Sequence, residues 1–210
     1  MEKEYWENYY KLQNVTLQPS LFAKFALKNH VKTGSSLIEL GCGNGRDAKF
    51  FAANIIDVLA VDQCEDEISF LSKKNNYNNL KFKCGDFTCL GDIGLFDNIY
   101  SRFTLHSISE KEESQVIEWA YNHLNGGGML LIEARGQKNE LFKLGQSVPG
   151  DPSAYIYDNH YRRFINIEKI WEKLKMKRFE IISAEEKSGF APFGGSDHVF
   201  IRIIASKNIL

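Results

Sequence analysis

The chain is poor in the residues that staple small folds. Four cysteines occur in 210 residues, Cys42, Cys64, Cys84 and Cys89, and no two are spaced C-x-x-C. That spacing argues against a zinc cluster, and the length argues against a secreted disulfide scaffold. The thiols are read as reduced side chains filling small apolar volumes. No metal site is expected. Prolines number four, and Pro149 and Pro152 bracket Gly150-Asp151, so 147–153 reads as a loop. No apolar run reaches the roughly 18 residues of a membrane helix, and the acidic, aromatic start MEKEYW lacks a signal's basic opening. A cytoplasmic protein without a membrane partner is expected. Neither charge sign dominates: 26 Lys+Arg face 27 Asp+Glu, for a net charge of -1. Nothing in that balance calls for nucleic acid. Repeats and low-complexity tracts are missing too.

What is present alternates. A helix is expected over 20–30, with Ser20 as its cap. Short apolar runs at 36–40, 57–61, 80–84, 96–103 and 129–133 read as strands. Helical spacing at 46–53, 65–74 and 110–124 lies between them, and a GGG turn at 126–128 precedes the fifth strand. This order predicts crossover units and a doubly wound parallel sheet. After a helix near 167–174, strands over 179–184 and 198–205 have no helix between them, which predicts an antiparallel hairpin at the sheet edge. A single domain is expected. Its segment 1–31 would act as an N-terminal lid or helix, and 136–166 as a substrate-side insertion without clear periodicity.

The strongest local signal is LIELGCGNGRD at 37–47, a strand running through glycines into a helix. Glycine permits the sharp turn and removes the Cβ atoms that would hold a ligand away. Asp62, twenty-one positions after Gly41, ends the second strand and can accept from two ribose hydroxyls. Cys84-Gly85-Asp86-Phe87 closes the third strand. There Asp86 suits an adenine amino group, with Phe87 against the ring.

These three elements resemble the class I S-adenosylmethionine-dependent methyltransferases over roughly 37–133, and the terminal hairpin fits that family's reversed last strand. The resemblance implies a seven-stranded sheet in order 3-2-1-4-5-7-6. It implies S-adenosylmethionine as cofactor and S-adenosylhomocysteine as product. Glu39 would meet the cationic methionine end. Gly41, Cys42, Gly43, Arg46, Asp62, Gln63, Asp86 and Phe87 would line the rest, with Arg102 meeting the methionine carboxylate or the substrate and Trp6 in the lid.

The acceptor side is sought at the ends of the fourth and fifth strands. His106 is a candidate general base because an imidazole titrates near neutrality, with His160 and His198 as further candidates. Arg135, Arg162 and Arg163 can grip an anion in two-pronged fashion, and Tyr5 would join them from the lid. Neighbours along an extended segment point to opposite sides, so Arg162 and Arg163 are not expected to share one job. The small-molecule acceptor is therefore expected to be anionic. Methyl transfer to oxygen ranks above nitrogen. The run 100–108 and the Arg162-Arg163 pair also resemble small bacterial capsule-polysaccharide methyltransferases, some of which act on phosphoramidate intermediates.

Three other readings compete. A nicotinamide-dependent oxidoreductase needs a later glycine where Arg46 stands. A non-catalytic module that only binds the cofactor would not need polar strand ends. An amino-methylating DNA enzyme would carry an Asn/Asp-Pro-Pro-Tyr/Phe tetrapeptide, which the chain lacks. Oligomeric state is left open.

Overall fold

The computed structural model describes residues 18–209. Among the described residues ten strands, β1 (Ser36–Leu40), β2 (Asp57–Asp62), β3 (Leu80–Cys84), β4 (Phe96–Arg102), β5 (Leu124–Ala134), β6 (Gln146–Val148), β7 (Asp151–Tyr157), β8 (His160–Arg163), β9 (Phe179–Lys187) and β10 (Phe200–Lys207), occur with five α-helices. The helices are α1 (Leu21–Asn29), α2 (Arg46–Ala53), α3 (Glu65–Lys74), α4 (Glu110–His123) and α5 (Ile167–Met176). Seven strands form one sheet in the order β3-β2-β1-β4-β5-β10-β9. Counted within that sheet alone, this is the expected 3-2-1-4-5-7-6. The first five run parallel, and β10 lies antiparallel between β5 and β9.

Strand alternation divides the core. Leu37, Val58, Tyr100, Leu131 and Ile204 face one side, against α1 and α2. Ile38, Ile99, Leu130, Ile132 and Ile203 face the other, against α4 and α5. Helix starts follow their caps. Ser20 accepts the Ala23 N–H at 3.0 Å, Ser109 and Glu112 form a reciprocal capping box, and Asn166 accepts from Lys169 at 2.9 Å. Among the described residues no helix is long and apolar enough to cross a membrane.

Several expectations need correction. The loop expected at 147–153 is two strands and the turn between them, and the aperiodic insertion is a second, three-stranded antiparallel sheet, β6-β7-β8. Asp158 and Asn159, at φ 52° and 54°, make its tight second turn. Its register slips beside Pro152, which cannot donate to a ladder. The GGG turn at 126–128 survives as an irregularity inside β5, where pairing with β4 jumps from Leu124 to Met129. Cys42 and Cys64 are buried as expected, but Cys84 and Cys89 are exposed, because each sits at or beyond the end of the edge strand β3.

The sheet order reverses between β1 and β4, and their carboxyl ends diverge there into a crevice. The second sheet packs at that end. Arg163 of β8 reaches the turn after β4, and Ile165 hydrogen-bonds the Arg135 carbonyl at 3.0 Å.

Candidate active site

The glycine loop adopts conformations that side chains resist. Gly41, Gly43 and Gly45 have φ of 69°, 52° and 68°. Gly41 also packs tightly, since a Cβ there would lie 2.3 Å from the Thr104 Cγ2. The Gly41 and Cys42 N–H groups both donate to the Val61 carbonyl, at 2.8 and 2.9 Å, pinning the loop to the end of β2. Asp62 locks it further by accepting the Gly43 N–H at 2.9 Å and the Cys64 N–H at 3.0 Å. A carboxylate offers about four lone-pair positions, so two remain for a ligand's hydroxyls. Gln63 is half-buried beside it, and its carbonyl faces Cys84.

Glu39 lies below the loop, 4 % exposed. Its Oε2 is buried and finds no hydrogen-bond partner. Burial pushes its carboxyl well above the ordinary range. Asp47 and Asp62 add to that, while Arg102 and Arg46 oppose it. Such a buried acceptor fits a cationic group arriving in the crevice. Cys42 is buried with its thiol pushed well up, so it packs and does not react.

At the β3 end, Asp86 accepts from the Thr88 N–H and hydroxyl through Oδ1, at 2.9 and 2.8 Å. Phe87 is a core residue, 4 % exposed, in the wall behind the Gly41 turn.

The β4 end bends at Phe103, whose φ of 61° is rare for a bulky residue. The bend forms a stack. Arg102 lies over the Phe103 ring at 4.0 Å, Phe103 stacks on Phe200 at 4.8 Å, and Arg135 lies over Phe200 at 5.2 Å. Arg102 donates through Nε to Glu133 at 3.0 Å and makes no other hydrogen bond among the described residues. Glu133, fully buried, also accepts from Arg202 at 2.6 Å. Burial still raises its carboxyl despite the two arginines.

The predicted acceptor residues divide. His106 is buried against Phe103, 5.6 Å between rings, and its Nδ1 receives the Arg135 backbone N–H at 3.2 Å. Burial first, then Arg135, His160, Arg162 and Arg163, push its pKa well below 6.5. This corrects its expected role as base, because the nitrogen that would take a proton is already occupied and the surroundings are cationic. Arg163 needs correction as well. It is 3 % exposed, and its Nε and Nη2 donate to the Ile108 and Leu105 carbonyls and to buried Glu113, so its charge is already paired inside the fold. Arg162, next in sequence, points the other way and caps the Tyr157 carbonyl at 2.7 Å. His160 is buried on β8 near His106. His198 sits at the rim, half-exposed, with Nδ1 2.9 Å from Glu140. Tyr5 and Trp6, with the lid assigned to them, lie outside the described residues. Among the described residues no cluster of three metal-ligating side chains occurs.

Sequence reasoning passed over Glu133, Arg202, Asn139 and the Phe103–Phe200 stack. One signal was available: Glu133 and Arg202 each interrupt an apolar strand, and a charge buried in a sheet needs a partner.

Residues 37–128, a little under half of the chain, match the family model described as a methyltransferase domain. A curated phosphoethanolamine N-methyltransferase of Triticum aestivum is 31 % identical over 134 residues, covering 61 % of this chain and 25 % of that protein. The chain spans less than half the length of the first curated relatives it matches. Among solved structures, an S-adenosylmethionine-dependent methyltransferase of Methanosarcina mazei superposes with a TM-score of 0.75 at 18 % identity, covering 87 % of this chain and 97 % of its own. The 1,6-didemethyltoxoflavin-N1-methyltransferase of Burkholderia thailandensis, solved with bound 1,6-didemethyltoxoflavin and S-adenosylhomocysteine, gives 0.68 at 16 % identity, covering 99 % of this chain and 84 % of its own. The fold is that of the solved S-adenosylmethionine-dependent methyltransferases on which it superposes, and residues 37–128 match a methyltransferase domain.

Proposed function

We propose that this chain, as the carrier of such a domain, binds S-adenosylmethionine in the β1–β4 crevice and methylates a small anionic acceptor. The observation that carries the cofactor assignment is the partnerless Glu39 Oε2 under the glycine loop, which suits the methionine ammonium. Around it, Gly41, Gly43, Arg46 and Gln63 line the crevice, the open lone pairs of Asp62 meet the ribose, and Asp86 meets the adenine amino group. Arg102, with its terminal nitrogens available, faces the methionine carboxylate. When bound, the cofactor supplies a methyl on a sulfonium: the new bond to the acceptor forms as the carbon–sulfur bond breaks, and sulfur keeps the electron pair. The chain then contributes mainly position and charge.

Arg135 and Arg162, at the acceptor end, favour an anion. An oxygen of a phosphate, phosphoramidate or sugar intermediate, of the kind capsule-polysaccharide assembly uses, ranks first. Methylation at nitrogen is the second reading, supported by the names of the phosphoethanolamine N-methyltransferase relatives. Exposed cysteines at positions 84 and 89 suit a reducing cytoplasm.

Calorimetric titration with S-adenosylhomocysteine tests the cofactor assignment, with NAD as control ligand. Micromolar binding is expected for wild type. Asp62→Ala is expected to weaken it by about tenfold or more, the scale of a lost hydrogen bond to a charged group. Binding of NAD instead would return the crevice to the oxidoreductase reading. With binding established, phosphorylated and sugar acceptors are screened for methyl uptake.

A further inference from the structure

We infer that Arg135 and His106 form an oxyanion-binding subsite for the acceptor, in which His106 is a fixed hydrogen-bond donor and not a base. The inference rests on the methyl-transfer reading for where the acceptor sits, while its geometry stands by itself. Arg135 follows β5 and His106 lies in the turn after neighbouring β4, both at the carboxyl edge. The Arg135 backbone N–H donates to the His106 Nδ1 at 3.2 Å. A neutral imidazole carries one ring proton, so with Nδ1 accepting, that proton is on Nε2. An Nε2–H donates and cannot take a proton from a substrate. Becoming imidazolium would place a second N–H against the Arg135 N–H. It would also add a cation beside Arg135, which follows β5, and His160, Arg162 and Arg163 of β8, the charged and titratable groups whose charges act on the ring.

Arg135 supplies the other half. Its Nη1 donates to Asn139 Oδ1 at 3.2 Å, but its Nε is buried without a partner. No carboxylate pairs with it among the described residues, whereas Arg102, Arg163 and Arg202 each hold a buried glutamate. Burial, with Arg162 nearby, pulls its pKa down to about 10. A half-buried cation with a buried idle donor, and only the exposed Glu140 to offset its charge, is suited to an incoming anion. The Phe103–Phe200 stack is the floor, with His106 against one ring and Arg135 over the other, and a dry floor strengthens hydrogen bonds to an anion. Phosphate monoesters and carboxylates share the required chemistry, and both are ionised at neutral pH. A hydroxyl acceptor would find no base in His106.

Long-range proton–nitrogen NMR of the labelled full chain reads the imidazole directly, with His106 assigned through His106→Gln. A neutral Nε2–H pattern that does not titrate between pH 6 and 8 is expected, together with a shift of the Nε2 signal on adding inorganic phosphate or acetate. A shift with phosphate alone assigns a phosphate ester, and one with acetate alone a carboxylate. The Kd of the active anion is expected to rise about tenfold or more in Arg135→Gln and His106→Phe, and to stay within about threefold in His106→Gln, which keeps an N–H. An Nδ1–H tautomer, titration near the ordinary imidazole value, or silence toward both anions would sink the proposal. If S-adenosylhomocysteine fails to bind while the His106 pattern and the anion response hold, only the methyl-transfer reading falls.

Discussion

Glu39 shows how a single buried group links protonation to ligand. Its carboxyl is raised above an ordinary value near 4.5, so the folded protein prefers it protonated. The stability this contributes is present below that value and is lost as pH rises through the raised one. Glu39→Gln is therefore expected to gain on wild type with increasing pH, by up to about 1.4 kcal/mol per unit, in ligand-free thermal melts. Saturating S-adenosylhomocysteine is expected to shrink that gain, because only the carboxylate attracts an ammonium. A pH-independent difference would contradict this account. Gly41 makes a steric case beside it. An added Cβ meets Thr104 at 2.3 Å on a backbone of positive φ, so Gly41→Ala is expected to cost about 2–4 kcal/mol in urea denaturation. Adding Thr104→Ser removes the clashing methyl, keeps the hydroxyl bonded to Ser101, and is expected to recover part of that loss. At this scale the sequence exposed Glu39, Asp62 and the glycines, whose spacing follows from one turn. It concealed the ion pairs, which join residues distant in the chain.

Among the elements, legibility followed span. β1, β3, α2 and α3 stand where their periodicity places them, since each forms within one continuous apolar pattern. β6 to β8 were unreadable, being short, irregular in register and half-exposed. Asp158-Asn159 was the available clue, because those types tolerate the paired positive φ of a tight hairpin. Glu113 was another. It falls three and four residues before Val116 and Ile117 on the apolar face of α4, so the run EKEES hides one inward acid among outward ones. That acid anchors the second sheet by holding Arg163 of β8 and Lys173 of α5. Arg163→Met is expected to cost about 3 kcal/mol, as removal of one partner strands a buried charge. Hydrogen exchange should rise first in β7 and β8. Arg162→Ala, which loses one exposed and one part-buried carbonyl contact and strands no buried charge, is expected to stay within about 0.5 kcal/mol. Equal costs for the two would overturn the division of labour.

Across the whole molecule, the proposed function assigns the two sheets two tasks. On that reading the large sheet's β1–β4 crevice would supply the cofactor residues, while the β4 and β5 ends and the small sheet would supply Arg135, His106 and Arg162. Replacing 138–163 by a short glycine linker, with Glu113→Gln to spare a stranded charge, is expected to leave cooperative unfolding intact. S-adenosylhomocysteine affinity should stay within about threefold, under 0.7 kcal/mol at room temperature, while phosphate binding weakens as Arg135 loses its Asn139 contact and its neighbour Arg162. Calorimetry on the shortened chain reads both, and loss of the cofactor would show that the sheets are one unit. Gly136 and Ile165 are bridged side by side, so the chain leaves the large sheet and returns to it at one place. Closing a loop across so short a gap costs little extra entropy as the loop grows. On the proposed function the small sheet is expected to behave as an exchangeable cassette: rewriting its length and lining would change the acceptor without disturbing the register of a single strand below.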